Sequence, residues 1–252
     1  MHILITCRNG TADVEQKLDK HVRLEVRSNE DDIRKYIKSR LDAQDNISES
    51  NNDSPGFDEM IIEAILPRLE GMFLLARLYI DILGDLPTQR DVREALKSLP
   101  ERREETYLQA WNRVNAQMAR KRELGKNILL WIVNAQRPLR LVELQHALAI
   151  REDDDELDTT GFVNTSTVTS FCAGLVMADG KRNILSLVLS TTQEFFDSRK
   201  DDLFPTAHEM IALTFMTYLR IQSFRDEGAL FDPTLFDYRW KRHQLLGYAA
   251  VY

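Results

Sequence analysis

The side chains of this 252-residue chain that could do chemistry are few and dispersed. Its histidines, His2, His21, His146, His208 and His243, never fall at the short spacing that puts two imidazoles on one metal ion, so each reads as a surface or capping residue. The stretch 152–158, EDDDELD, is dense in carboxylates, but consecutive acids lack the alternating ligands and the glycine of a calcium loop. No nucleophile, base and orienting acid can be assembled, so hydrolysis has no support and the chain is expected not to be an enzyme. The ten glycines form no phosphate-wrapping loop ending in Lys-Ser/Thr, and no apolar strand ends in paired acids that could hold Mg²⁺. These patterns predict no metal site, no small-molecule substrate and no cofactor bound by this chain alone.

Charge points the same way. Lys and Arg number 33 against 40 Asp and Glu, a net charge of −7, so a nucleic-acid backbone would meet net repulsion unless a local basic patch intervened. The basic run Arg120-Lys121-Arg122 is followed by Glu123 and reads as a solvated helix face. Cys7 and Cys172 lie in apolar surroundings and read as reduced, buried thiols, which makes a cytoplasmic protein the expectation. The longest apolar run, residues 128–133, is far short of the roughly 20 residues of a spanning helix. MHILITCRNG has no signal-peptide pattern, and Met1 stands almost inside a strand, which suggests the rear portion of a larger architecture or a truncated product. A protein partner or self-association is therefore expected, with neither nucleic acid nor membrane.

The elements that would position any function centre on residues 170–199, SFCAGLVMADGKRNILSLVLSTTQEFFDSR. A strand over 175–178, the turn Asp179-Gly180-Lys181-Arg182 and a return strand over 184–189 form a hairpin, with Leu185, Leu187 and Leu189 alternating onto one face. Thr191 or Thr192 is placed to cap a following helix. Upstream, Arg137-Pro138-Leu139 opens a short helix with Leu141, Leu144 and Leu148 on one side. Helix, helix and hairpin in this order predict a winged helix-turn-helix. Its second helix, residues 164–172 (NTSTVTSFC), contains no Arg or Lys, the wing tip offers only Lys181 and Arg182, and the acidic stretch lies nearby. DNA reading depends on such cations and is not predicted.

The remaining chain is mainly helical. Residues 3–6 and 21–27 read as short strands joined by a crossover, and Ser28 as the cap of a helix carrying Ile33, Tyr36, Ile37 and Leu41. A polar loop over 42–56 precedes two core helices divided by Pro67 and Gly71. Thr88 caps another helix that stops at Pro100, residues 104–135 hold two further helical patterns, and residues 207–219 a last one with two packing surfaces.

The segments ILLWIVNAQRPLRLVELQHALAI, SFCAGLVMAD and LSLVLSTTQEFF, in that order, resemble the winged-helix region of fungal NACHT-type (STAND) signalling ATPases, relatives of NOD-like receptors. That region is often labelled a GPI inositol-deacylase-type winged helix. GMFLLARLYIDIL, REALKSLPERREETYLQAW and LLGYAAVY also resemble family segments. The resemblance implies a mainly α chain with a small α/β remnant: 1–27 from the nucleotide-binding sheet, 28–100 a helical lid with mobile loop 42–56, 101–199 the winged helix, and 200–252 a helical connector. It maps Arg8 onto a residue that faces nucleotide phosphates in the family, although without a phosphate loop Arg8 reads as a remnant at a strand end. ATP or ADP would then bind only if another chain supplied the missing half. Leu189 stands where the family usually carries an ADP-contacting His, and leucine has no donor for phosphate. The ankyrin or tetratricopeptide repeats that usually follow in the family do not occur here. The implied function is a non-catalytic regulatory module acting through protein contacts. A nucleotide-driven oligomerisation switch and a winged-helix DNA-binding regulator are the alternatives.

Overall fold

Helix α1 (Glu30–Asp42) begins where the Asn29 side chain accepts the Asp31 N–H at 3.2 Å, so the cap is Asn29, one residue after the serine expected to supply it. A computed structural model describes residues 29–44, 47, 54–69, 72–100, 102–151, 154–221 and 242–249. The expected strands over 3–6 and 21–27, Cys7 and Arg8 lie outside them, as does most of the polar stretch 42–56. Within that stretch Ile47, its one large apolar residue, is buried.

The Pro67 signal divides α2 (Phe57–Ile65) and a 3-10 turn (Leu66–Arg68) from α3 (Phe73–Gly84). Thr88 caps α4 (Gln89–Lys97) by accepting the Asp91 N–H. Ile33, Ile37 and Leu41 of α1 pack with Ile61, Ile65, Leu75 and Leu78 of α2 and α3 in one buried cluster. Helix α5 (Arg103–Ala116) joins this unit to the rest: Thr106 donates to the Tyr79 hydroxyl, which itself donates to the Pro100 carbonyl. From its next turns Tyr107 and Trp111 face the other way, toward the winged helix.

The winged region runs through α6 (Ala119–Val133), β1 (Leu139–Arg140), α7 (Leu141–Ala149), α8 (Thr165–Phe171), β2 (Val176–Asp179), β3 (Ile184–Leu187), α9 (Ser190–Asp197) and α10 (Lys200–Leu203). The sheet order is β1-β3-β2, all antiparallel, with Leu139 opposite Leu185 and Val176 opposite Leu187. The hairpin is the one expected. Arg137-Pro138-Leu139, by contrast, was expected to open a helix, whereas the helix begins at Leu141 and Leu139-Arg140 add a third strand. Pro138 disfavours helical backbone in the residue before it, and pairing with β3 satisfies the backbone that follows. The expected threonine cap is also corrected: Leu189 is the N-cap of α9 and offers no side-chain bond. Thr191 instead hydrogen-bonds the Tyr107 hydroxyl at 2.7 Å, and Thr192 is buried.

An aromatic layer joins α5 to α9 and α10. Trp111 lies 6.0 Å from Phe196 and 5.3 Å from Phe204, while Tyr107 lies 5.7 Å from Phe195, all within the range of favourable tilted contacts. Two glycines permit close crossings. A Cβ on Gly125 of α6 would stand 2.6 Å from the Phe171 carbonyl oxygen, so α6 and the end of α8 meet backbone to backbone. Gly174, with φ +82, turns the chain from α8 into β2 against the Leu78 side chain. Helix α11 (Ala207–Arg220) covers α6 and α7, with Phe215 5.5 Å from Trp131, and a last turn α12 (Leu246–Ala249) adds Tyr248. The described protein is mostly helical with a small three-stranded sheet, and no described helix is long and apolar enough to cross a membrane.

Candidate functional site

In a winged helix the second helix of the turn and the wing form the surface that could read a nucleic acid. Here that helix is α8. Asn164 caps it by accepting the Thr167 N–H at 2.8 Å, and its surface carries Thr165, Ser166, Thr169 and Ser170. Thr169 and Ser170 return their hydroxyls to carbonyls of their own helix, at 3.2 Å each. The buried side inserts Val168, and Cys172 follows. Burial pushes the Cys172 thiol far above its usual range, which leaves no thiolate for nucleophilic or redox chemistry. Asp179 accepts the Lys181 and Arg182 N–H groups across the wing turn, so an acid sits beside the two wing cations.

Two arginines of the winged region, Arg137 and Arg140, are engaged by a buried carboxylate. Glu143, in the first turn of α7, has a side chain with no exposure, and its carboxylate accepts both Arg137 terminal nitrogens, at 3.0 and 2.8 Å. It also accepts the Arg140 backbone N–H at 2.8 Å and the Arg140 guanidinium at 3.1 and 3.0 Å. Burial alone would raise this carboxyl, but hydrogen bonds from Arg137 and from both parts of Arg140 outweigh it and hold the group below its ordinary value. Arg137 further lies over the Tyr248 ring at 4.9 Å, and the Gln136 N–H donates to the Tyr248 hydroxyl at 2.8 Å. The node therefore locks β1, α7 and α12 together. The spacing Arg140-x-x-Glu143 resembles a capping box without its usual Ser or Thr, a signal that could have revealed the node in the sequence.

Two histidines expected at the surface or at caps are buried instead. His146 is 4% and His243 2% exposed. His146 Nδ1 is hydrogen-bonded to the Tyr218 hydroxyl of α11 at 2.8 Å, with the His243 ring 6.1 Å from Tyr218 and the Phe162 ring 5.2 Å from His146. Burial, with a smaller contribution from His243, lowers the His146 pKa to about 4. Residues so far apart in sequence meet only through the docking of α11 and α12 on α7. His208 stays exposed. Among the described residues no three His, Cys, Asp or Glu side chains gather closely enough to hold a metal ion.

The basic run lies in the first turns of α6, with Arg120 and Lys121 exposed and the Lys121 ammonium 5.5 Å from the Phe171 ring. Of the acidic stretch, Asp154 accepts the Arg151 N–H and Asp158 accepts from Thr160, so both stabilise local turns. A groove of about 330 Å³ beside Pro100, between Leu99 and Leu108, is open and of mixed polarity, with Arg102 and Glu105 on its rim.

Residues 113–205 match the winged helix domain of GPI inositol-deacylase. The matched span opens in the last turn of α5 and closes just after α10, so it takes in the three-stranded sheet, α8 and the Glu143 node. Helices α1–α4 and α11 lie outside it. No curated protein and no solved structure matches the chain.

Proposed function

We propose that this chain is a non-catalytic regulatory module that works through protein contacts, with its winged helix serving as a packing unit. The observation that carries this reading is the chemistry of α8: its surface offers hydroxyls and no cation, while Arg137 and Arg140 are held by the buried Glu143. A groove-reading helix needs cationic or amide side chains free to reach phosphates and base edges. The resemblance carries the reading further, to the lid and winged-helix part of a cytoplasmic NACHT-type signalling ATPase. In that setting any ATP or ADP would be held by a phosphate loop on another chain, with Arg8 as this chain's contribution.

Two measurements on the whole chain test the proposal. A thermal melt with excess ATP or ADP and Mg²⁺ is expected to show one cooperative transition with no shift, because a ligand that binds the folded state raises its stability by mass action. An upward shift would overturn the reading and return Arg8 to a phosphate site. Duplex DNA at about 50 mM salt is expected to show no salt-sensitive binding, whereas affinity that falls linearly on a log-log salt plot would establish a DNA reader.

A further inference from the structure

Helix α11 is attached to the described molecule by a narrow strip. Of its fourteen residues Ala207, Thr217 and Tyr218 are buried, while Met210, Leu213, Met216 and Leu219 are exposed. Tyr218 is the largest of the three, and its ring packs against two imidazoles, His146 of α7 at 5.8 Å between centroids and His243 at 6.1 Å.

The polar end of Tyr218 decides which protonation state the seam tolerates. Burial pushes the phenol up, so it keeps its proton, and the Leu245 backbone gives its oxygen a hydrogen bond. That leaves the phenolic hydrogen for His146 Nδ1, 2.8 Å away, which accepts it as the neutral imidazole with its own hydrogen on Nε2. Leu245 N–H, Tyr218 O–H and His146 Nδ1 thus form a relay across three segments. A proton on Nδ1 would make the hydroxyl oxygen accept from both sides and strip the phenolic hydrogen of its acceptor, with no water there to compensate.

The surroundings do not favour an imidazolium. Among the described residues, α11 meets His146 with Tyr218, the segment before α12 with His243, and the chain before α8 with the uncharged Phe162. Helix α6 carries no charged side chain beyond Lys126, and on α7 itself the Glu143 carboxylate is taken up by Arg137 and Arg140. His243 is the one of these groups that acts on the His146 charge, and it too disfavours the cation.

We propose that this relay is a proton-operated latch: it holds α11 on α7 while His146 is neutral, and protonation of His146 releases α11 while the winged helix stays folded. Docked, His146 takes its proton at about 4, and released at its ordinary 6.5, so the released form binds more protons and docking weakens as pH falls below about 6.5. Between about pH 7 and pH 5 the balance moves toward release by about twentyfold through His146 alone. The winged helix keeps its own ties, the three-stranded sheet and the α6–α8 crossing at Gly125. Release uncovers Trp131 of α6, whose ring lies 5.5 Å from Phe215, so acid changes which surface is presented.

Amide hydrogen exchange of the whole chain at about pH 7 and pH 5, corrected for the intrinsic effect of pH, tests the latch. Protection over residues 208–220 is expected to fall about twentyfold, while residues 128–133 of α6 and 184–187 of β3 keep theirs. His146→Gln, whose amide oxygen can accept the phenolic hydrogen without titrating, should abolish the fall. Unchanged protection of α11, an equal loss in β3, or a fall that persists in this variant overturns the proposal. If the variant leaves α11 unprotected at pH 7, an NMR titration of the unaltered protein decides. His146 must gain its proton over the pH range in which α11 loses protection, and a protonated His146 beneath a still-protected α11 overturns the latch.

Discussion

Glu143 and Met216 are inverted in opposite senses. The first is a carboxylate whose side chain has no exposure, and the second is an apolar side chain left 71% exposed. At Glu143 the inversion is resolved inside the chain, since two arginines and a backbone N–H surround the charge and tie β1 to α7. At Met216 none of the described elements covers the side chain. A buried charge in a complete hydrogen-bond network marks a place where the structure is closed, and an exposed apolar side chain marks one that the described elements leave uncovered.

The comparison is broken most severely at the closed end. Glu143→Ala removes the shared acceptor of Arg137 and Arg140 and should cost about 2–3 kcal/mol in urea unfolding, through the lost charge-assisted hydrogen bonds, while the partly exposed guanidinium groups regain water. If the loss were below about 1 kcal/mol, the node would be no more than a surface ion pair.

Next comes the buried histidine. His146 has its pKa lowered to about 4 in the folded protein against 6.5 for the free side chain, so on acidification the unfolded chain takes up the proton first. Stability is complete above about pH 6.5 and falls progressively toward pH 4, by at most about 3 kcal/mol. His146→Phe should flatten that slope whatever its effect at neutral pH, and an unchanged slope would assign the acid sensitivity to other groups.

Gly125→Ala should destabilise by about 1–3 kcal/mol, since the new methyl would meet the Phe171 carbonyl and force α6 from α8. The same change at Gly180, where a Cβ meets nothing, is the control. The smallest effect on folding belongs to the open end. Met216→Lys should change stability by less than about 0.5 kcal/mol in urea unfolding.

Much of the helical framework was legible because local signals agree with the fold. Pro67 divided two helices, Thr88 capped another, and Asp179-Gly180-Lys181-Arg182 turned the wing. Where the reading erred, a tertiary partner outweighed the local preference. Thr191 left the capping role for the Tyr107 hydroxyl, and Leu139-Arg140 became a strand because β3 had an edge to pair. The histidines misled for a related reason: motif spacing measures separation along one element, while His146, Tyr218 and His243 come from three separate segments.

The sequence by itself determined the positions of most helices, the hairpin, and the absence of basic residues on α8. These follow from periodicity, capping and composition, all of which act over a few residues. Only the tertiary structure decided that Glu143 would hold two arginines, that His146 would bind a proton less readily, and that of the apolar positions of α11 Met210, Leu213, Met216 and Leu219 would be left exposed. Burial is a property of what else packs on a residue. The pattern of a helix states that it has an apolar side, and the surrounding elements determine how much of that side they cover.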